Sequence, residues 1–591
     1  LPAILSGLLL WAAFFPLDLG ALAYVALVPW LTLVRAPSRG WRLYLAGYLG
    51  GFVFFLVAVQ WIRVAHPMMH LSWLGLALAC PTTWLIGLWL LRRLDGVGVP
   101  LAASVPLVWV AMEFTRSHFP TGFPFLAHVG LYQMVGFGWY GLGYTQHDFL
   151  SLIQIADLGG VYAVSFVVAA INGLAAEWLL RLPAVRNWLR WNGEPGDGNP
   201  AEVPHTGPAR PIGSSVAVAA LFVASVAYGL VRLDHPEFAP GPRVAAIQGN
   251  VPQAEKNQRG PSLGQTYGEL HLHAEALHPW PDLIVWPETC FPMDWVEAAP
   301  GSDPPDDFRW AADKCAAEFN RARPGPPILL GLNSLEWEDG RAWKYNSAVL
   351  LDVRRKKVAR YDKMHLVPFG EYVPFKDSLP WMQTFTPYKW DYSCRPGEHW
   401  TRFPLTAADG KTYTFGCLIC YEDSDPYLAR QYACQLEPPA EARPPAKPQA
   451  WDPYRPVDFL VNISNDGWFD GTEEHEEHLA ICRFRAIEAR RSVVRAVNMG
   501  ISAVIDPDGR VIALPRLIDR NGTLSDEPAS SWSASKKVEG VVCAAVPIDT
   551  RESCFARLGD WVPGLSWAAI AAALAVSVLR GRRGPAISPA L

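Results

Sequence analysis

The sequence has no surplus of positive charge. Its 51 Lys and Arg stand against 56 Asp and Glu, a net charge of −5, and the basic residues gather in small clusters beside apolar runs. This excludes the footprint of a nucleic-acid partner and makes a membrane the better one. Internal repeats, a phosphate-cradling glycine loop and an H-E-x-x-H pair are also missing, so neither cofactor nor metal is expected. Acidic residues are scarce from Leu1 to about Val231, where long apolar runs recur. From about Gly241 to Asp549 charge is ordinary and the runs shorten to strand length. The 50% hydrophobic content thus averages two unlike parts, and 591 residues are too many for one ordinary soluble core. Nine of the 10 cysteines fall between Cys290 and Cys554. In an oxidising compartment that odd number leaves at least one thiol unpaired, and spacing alone pairs none of the rest.

Eight runs approach the roughly 20 apolar residues that a bilayer core requires. They extend from Leu1 to Phe15, Leu19 to Val34, Tyr44 to Ile62, Leu71 to Leu91, Val99 to Phe114, Phe149 to Leu180, Ser214 to Val231 and Trp561 to Leu579. The first is read as a span and not as a cleaved signal peptide, because another long run follows at once without a small-residue cleavage site. Basic clusters follow only even-numbered runs: Arg35, Arg39 and Arg42; Arg92 and Arg93; Arg181, Arg186 and Arg190; Arg580, Arg582 and Arg583. Short loops rich in Lys and Arg stay in the cytoplasm. The expected organisation is therefore a helical membrane domain over 1–232 with a Gly- and Pro-rich cytoplasmic linker at 191–211, a domain outside the cytoplasm over 241–550, and a last helix with a cytoplasmic tail over 560–591.

Between Arg243 and Pro547, strand-like runs alternate with helical patterns and predict a layered α/β domain. Three strand ends carry reactive groups. Leu283-Ile-Val-Trp-Pro-Glu288 ends on a carboxylate, Tyr361-Asp-Lys363 on an amine with Glu371 beyond it, and Phe415-Gly-Cys-Leu-Ile-Cys420-Tyr-Glu422 on a thiol. Taken singly, these residues read as a solvated loop glutamate, a surface lysine and an inert core cysteine. Together they supply a base, an oxyanion-stabilising cation and a nucleophile, which is what acyl transfer through a thiol requires.

Gln248-Gly-Asn250, Trp286-Pro-Glu288, Tyr361-x-Lys363-x-His365-Leu-Val-Pro-Phe-Gly-Glu371, Ile419-Cys-Tyr-Glu422 and Asn465-Asp-Gly-Trp-Phe469 resemble the apolipoprotein N-acyltransferases of the nitrilase superfamily. Gly122-Phe-Pro124 is similar to that family's Gly-Phe-Pro-Trp signature, with Phe125 in place of Trp. The resemblance implies an α-β-β-α sandwich on the periplasmic side of the bacterial inner membrane. It implies Glu288 as base, Lys363 as oxyanion partner, Cys420 as nucleophile, Glu371 as a carboxylate that positions the lysine or the ammonium substrate, and Glu422 as an accessory active-site group. The backbone N–H of Tyr421 would complete the oxyanion site. The implied donor is a phospholipid, and the implied acceptor is the α-amino group of a lipoprotein's diacylglyceryl-cysteine. The sequence departs from the family in an expanded stretch from Leu126 to Gln146, in Asp470 where Gly is usual, in Glu477 where Gln is common, and in an insertion from Pro438 to Pro456.

Other readings compete. A nitrilase-type amidase would use the same three residues with water as acceptor, but it has no need of eight membrane runs. Cys417 and Cys420 have redox-pair spacing yet lie in a strand run, not at a helix start. Cys290 is a second conceivable nucleophile that reads better as a packing residue. His475 and His478 among four glutamates invite a metal, but their spacing fits a helix start or the rim of an active site. The apolar residues Leu379, Trp381, Met382 and Phe385 suggest either a lid that dips toward the bilayer or, equally well, a small satellite core under the loop.

Overall fold

The computed structural model describes residues 1–37, 40–120, 136–191, 211–235, 237–373, 376, 380–385, 392–435 and 454–582. The Gly122–Pro124 signature, most of the linker and most of the 438–456 insertion lie outside these residues, as do Leu379 and the side chain of Phe385.

Every one of the eight apolar runs carries helix, but not as eight equal spans. Trp41–Ala58, Met69–Gly96, Val161–Leu179 and Ile212–Leu233 are long and apolar enough to cross a membrane. The first run forms an 11-residue helix, Pro2–Ala12, about 16 Å long at 1.5 Å per residue, well short of a bilayer core. The second is interrupted: 3-10 turns at Gly20–Tyr24 and Thr32–Arg35 flank a single helical turn at Val28–Leu31. The sixth breaks at Gly160, whose φ of +68° suits glycine and against which the Phe555 ring packs. At Gly7 a Cβ would lie 2.3 Å from the carbonyl oxygen of Gly50, so the helices Pro2–Ala12 and Trp41–Ala58 cross backbone to backbone.

The second half folds as two packed sheets. The first contains β1 (Ala239–Gln248), β2 (Leu283–Val285), β3 (Trp295–Ala298), β4 (Ile328–Glu338), β5 (Arg341–Leu351) and β6 (Lys357–Asp362). The second holds β7 (Arg402–Thr406), β8 (Thr412–Ile419), β9 (Phe459–Ser464), β10 (Ser492–Val497), β11 (Ala503–Ile505) and β12 (Val511–Ala513). The chain then returns to the first sheet with β13 (Arg516–Ile518), β14 (Leu524–Pro528) and β15 (Gly540–Ile548). Among the described residues the strand orders are β14-β13-β15-β1-β2-β4-β5-β6, with β3 beside β4, and β12-β11-β10-β9-β8-β7. Alternation along β1 shows how the layers are built. Val244 and Ala246 join Phe403, Phe415 and Val461 in the core shared by the two sheets, while Ala245 and Ile247 pack beneath the helix Pro261–Glu275. The helix Glu474–Ala489 covers the second sheet, giving the expected helix–sheet–sheet–helix sandwich.

The two halves meet at one end of the membrane helices. Phe15, at the end of the first run, donates its N–H to Glu477 at 2.9 Å, and Gln60, near the end of the third, donates to Glu473 at 3.4 Å. Ser117 and His118, after the fifth, line one cavity with Ser424 and Asp425, and Arg232, after the seventh, donates to the Glu552 carbonyl. The opposite end carries basic groups: Arg35 pairs with Asp95 at 2.8 Å, and Arg92 donates to the carbonyls of Leu33, Val34 and Ala36. A buried arginine bolts the halves together, because Arg490 bonds Asp157 and Gln154 of the membrane half and Asp508 of the sandwich at 2.6–3.0 Å.

Candidate active site

Three strand ends converge at the seam between the sheets. Glu288 follows β2, where Gly331 of β4 admits the Pro287 carbonyl to within 2.1 Å of where a Cβ would stand. Lys363 follows β6 and donates its backbone N–H to the Asn346 carbonyl at 2.8 Å, extending the β5–β6 pairing by one residue. Cys420 follows β8 and begins the turn Cys420–Ser424 with a φ of +53°. Such a left-handed conformation costs a non-glycine residue about 1–3 kcal/mol, and a fold retains it only when its neighbours enforce it.

The lysine is buried between two carboxylates. Its Nζ lies 3.2 Å from Glu288 Oε1 and 2.8 Å from Glu371 Oε2. Burial by itself would depress the amine's pKa, but Glu288, Glu371 and Cys420 outweigh it and hold the amine well above its ordinary value. Asn346 completes this group: its Nδ2 donates to Glu288 Oε1 and to Glu371 Oε1, both at 2.7 Å. Sequence reasoning missed Asn346 because it lies within β5 (Arg341–Leu351) and not at a strand end. Its burial and its place across the ladder from Asn333 emerge only in the fold.

Burial, and then the charge of Glu288, push the Cys420 thiol up to about 12, with Lys363 acting in the opposite direction. The resting group is therefore a thiol, and its attack requires a base. Lys363 and Glu288 act on the sulfur electrostatically, which brings the three residues singled out in the sequence to one site.

Glu422 lies beneath them as a brace. Its Oε1 accepts from the N–H groups of Met364 and His365 at 2.7 and 3.1 Å, its Oε2 accepts from the Ile419 N–H at 2.7 Å, and Tyr361 Oη donates to both at 2.9 Å. One carboxylate thus fastens the lysine loop of the first sheet to the cysteine strand of the second. Both oxygens are consumed, so its role is to position the site. The Tyr421 side chain donates to the Gly136 carbonyl at 3.4 Å and ties the turn to the membrane half.

The alternative groups are placed differently. Cys290 is buried with its Sγ donating to the Glu288 carbonyl at 3.2 Å, and burial raises its pKa to about 11. Cys417 is wholly buried in the core between the sheets, and no thiol among the described residues is in a disulfide. His478, Glu474 and Asp466 stand close enough to share a cation, but Arg495 already bonds Asp466 at 2.9 Å. Asp18, His147 and Asp148 also cluster, with the Arg483 guanidinium 3.1 Å from His147 Nδ1. Trp381 is exposed, on a short 3-10 turn at Pro380–Phe385.

Comparison with known proteins accounts for both halves. Residues 6–174 match the apolipoprotein N-acyltransferase N-terminal domain, and residues 243–437 with 455–520 match the carbon-nitrogen hydrolase family. An apolipoprotein N-acyltransferase of Geobacter metallireducens is 31% identical over 600 residues, spanning 99% of this chain and 95% of that protein. Proteins of the same name from Rhodopirellula baltica and Azotobacter vinelandii are 27% and 31% identical, over 96% and 86% of this chain and 95% and 85% of their own lengths. With a carbon-nitrogen hydrolase sandwich joined to apolar helices and likeness along almost its whole length, this chain is a membrane acyltransferase that belongs to the apolipoprotein N-acyltransferase family.

Proposed function

We propose that the protein moves an acyl chain from a phospholipid to Cys420 and then to the α-amino group of a lipoprotein's N-terminal diacylglyceryl-cysteine. The observation that carries this reading is the meeting of a half-buried thiol, a lysine held cationic and a carboxylate at one seam, on a domain bolted to membrane helices. Glu288 takes the thiol proton as sulfur attacks the ester carbonyl, and Lys363 with the Tyr421 N–H stabilises the oxyanion. The C–O bond then breaks, and the lysophospholipid leaves as an alcohol carrying the proton from Glu288. In the second half the acceptor amine attacks the thioester, Glu288 removes the amine proton, and the thiol is regenerated. Asn346 holds Glu288 and Glu371 at fixed positions on either side of the ammonium, so the base keeps its aim as charge moves.

In this reading the sandwich lies on the periplasmic face of the inner membrane, with domain limits at 1–232, 241–550 and 560–591. The support is that odd-numbered runs end at the sandwich while the basic groups of the second and fourth runs lie at the far end. Acyl-labelled phospholipid without lipoprotein should leave label on the protein that hydroxylamine releases and an acceptor lipopeptide discharges. Ammonia release from small amides with no acyl transfer to the lipopeptide would instead identify an amidase.

A further inference from the structure

Behind the Cys420 turn lies a closed ring of buried charges that the chemistry above does not use. Arg495 Nη1 donates to Asp423 Oδ2 at 3.0 Å, and its Nη2 donates to Asp466 Oδ2 at 2.9 Å. His478 closes the ring, with Nε2 at 2.7 Å from Asp423 Oδ1 and Nδ1 at 3.2 Å from Asp466 Oδ1. Each carboxylate thus divides its two oxygens between two cations, and all four side chains are buried. Burial and the nearby Arg495 oppose the imidazolium, but Asp423 and Asp466 outweigh them and keep His478 charged. Glu474, 3.4 Å from His478 Nδ1, is raised to about 8 by burial and then by Asp466, so at neutral pH it adds little charge and the ring stays balanced.

The ring reaches the nucleophile by two routes. Asp423 stands three residues after Cys420 in the same turn. Arg495 also donates to Asn462 Oδ1 at 2.6 Å, and the Nδ2 of that amide donates to the carbonyls of Cys420 and Leu418 at 3.3 and 3.4 Å. Asp423 comes from the nucleophile's own turn, whereas Arg495, His478 and Asp466 come from β10, the helix Glu474–Ala489 and the turn Asp466–Phe469, none of which supplies a reacting group. Buried ion pairs contribute little net stability compared with apolar packing, and their best-attested gain is a single specified geometry. The left-handed backbone at Cys420 needs that kind of enforcement.

We propose that Arg495, His478 and Asn462 are positioning residues of acyl transfer, holding the Cys420 turn so that the thiol and the Tyr421 N–H face the same carbonyl. The inference rests on the thioester reading of Cys420. Asn462→Asp keeps the acceptor for Arg495 but removes the donor to the Cys420 carbonyl, and Arg495→Lys keeps the charge but cannot reach both carboxylates and the amide at once. In the intact protein, single-turnover loading of Cys420 from acyl-labelled phospholipid should slow on the order of 10²-fold in each variant, as expected for a misaimed reacting group. Discharge by acceptor lipopeptide should slow alike, and the phospholipid concentration at half-maximal loading should not change. A folded variant that loads at the wild-type rate, or one whose only defect is a raised half-maximal concentration, overturns the proposal. So does failure of both variants to fold, because the ring would then serve stability. If the wild type itself never loads while transferring acyl chains, the thioester reading fails first.

Discussion

Glu422→Gln should separate a brace from a base. Glu422 accepts three backbone N–H groups and the Tyr361 hydroxyl, with Ile419 on one oxygen and Met364 and His365 on the other. A glutamine has one carbonyl oxygen, so in its better orientation the NH2 group faces the Ile419 N–H and strands that buried donor. The stranding costs about 1–3 kcal/mol, and each bond that loses its charged acceptor weakens by about 1 kcal/mol. Relief from burying the carboxylate, which pushes its pKa up, offsets part of this. The net loss should be about 3 kcal/mol. Thermal unfolding in detergent micelles should record the loss, and loading of Cys420 from labelled phospholipid should fall with it because the lysine loop and cysteine strand are no longer fastened. Glu288→Gln provides the contrast: its two bonds both fall on Oε1, which an amide oxygen can replace without stranding a donor, so stability should fall by only about 2 kcal/mol while loading collapses. Wild-type unfolding and loading in Glu422→Gln would refute the argument.

Cys420→Ala should abolish the hydroxylamine-labile label while Cys290→Ala and Cys417→Ala retain it, which mass spectrometry of the labelled peptides reads directly. Lys363→Met should slow loading by roughly 10²-fold, the scale for losing one oxyanion donor, in a stopped-time assay of label uptake. Burial raises the Glu477 carboxyl from 4.5 to about 8, so the folded state holds a proton that the unfolded state releases. The stability this contributes is complete below pH 4.5 and lost as pH rises through about 8. Glu477→Gln should therefore flatten the decline of the unfolding midpoint over that window. A reporter active only in the cytoplasm should be silent when fused after Asp549 and active after Arg583, and the reverse pattern would overturn the topology.

Of the three residues proposed to react, Glu288 and Cys420 were legible because each follows a short apolar run, whereas Lys363 follows the mixed strand Lys357–Asp362 and was picked out by its motif. Asn346 was not, because its partners Glu288 and Glu371 lie far from it in sequence and its own strand extends past the apolar residues that betrayed it. Nor was the charge ring, whose members at 423, 466, 478 and 495 meet only after the second sheet is assembled. Hydropathy located the eight apolar runs but not the breaks within the second and sixth, which arise from packing. Two departures from the family acquire physical content. Asp470 occupies a left-handed position with φ +42°, which explains why glycine is usual there, and Glu477 caps the Phe15 N–H, a bond that glutamine can also make.

The bolting of the sandwich to the ends of the membrane helices, with Arg490 gripping both halves, makes the elevation of Cys420 a constant of the architecture. A hinged domain could bob to meet lipids at different depths, whereas this one holds its sulfur at an altitude fixed by helix length. The 18-residue helix Trp41–Ala58 rises about 27 Å at 1.5 Å per residue. If Cys420 draws its acyl chain from a phospholipid, as proposed, the ester plane of a thicker leaflet must sag toward the thiol and that of a thinner one must bulge, at fractions of a kcal/mol per Å. Leaflet thickness would then be a coordinate of the proposed reaction, with the membrane deforming around a rigid gauge.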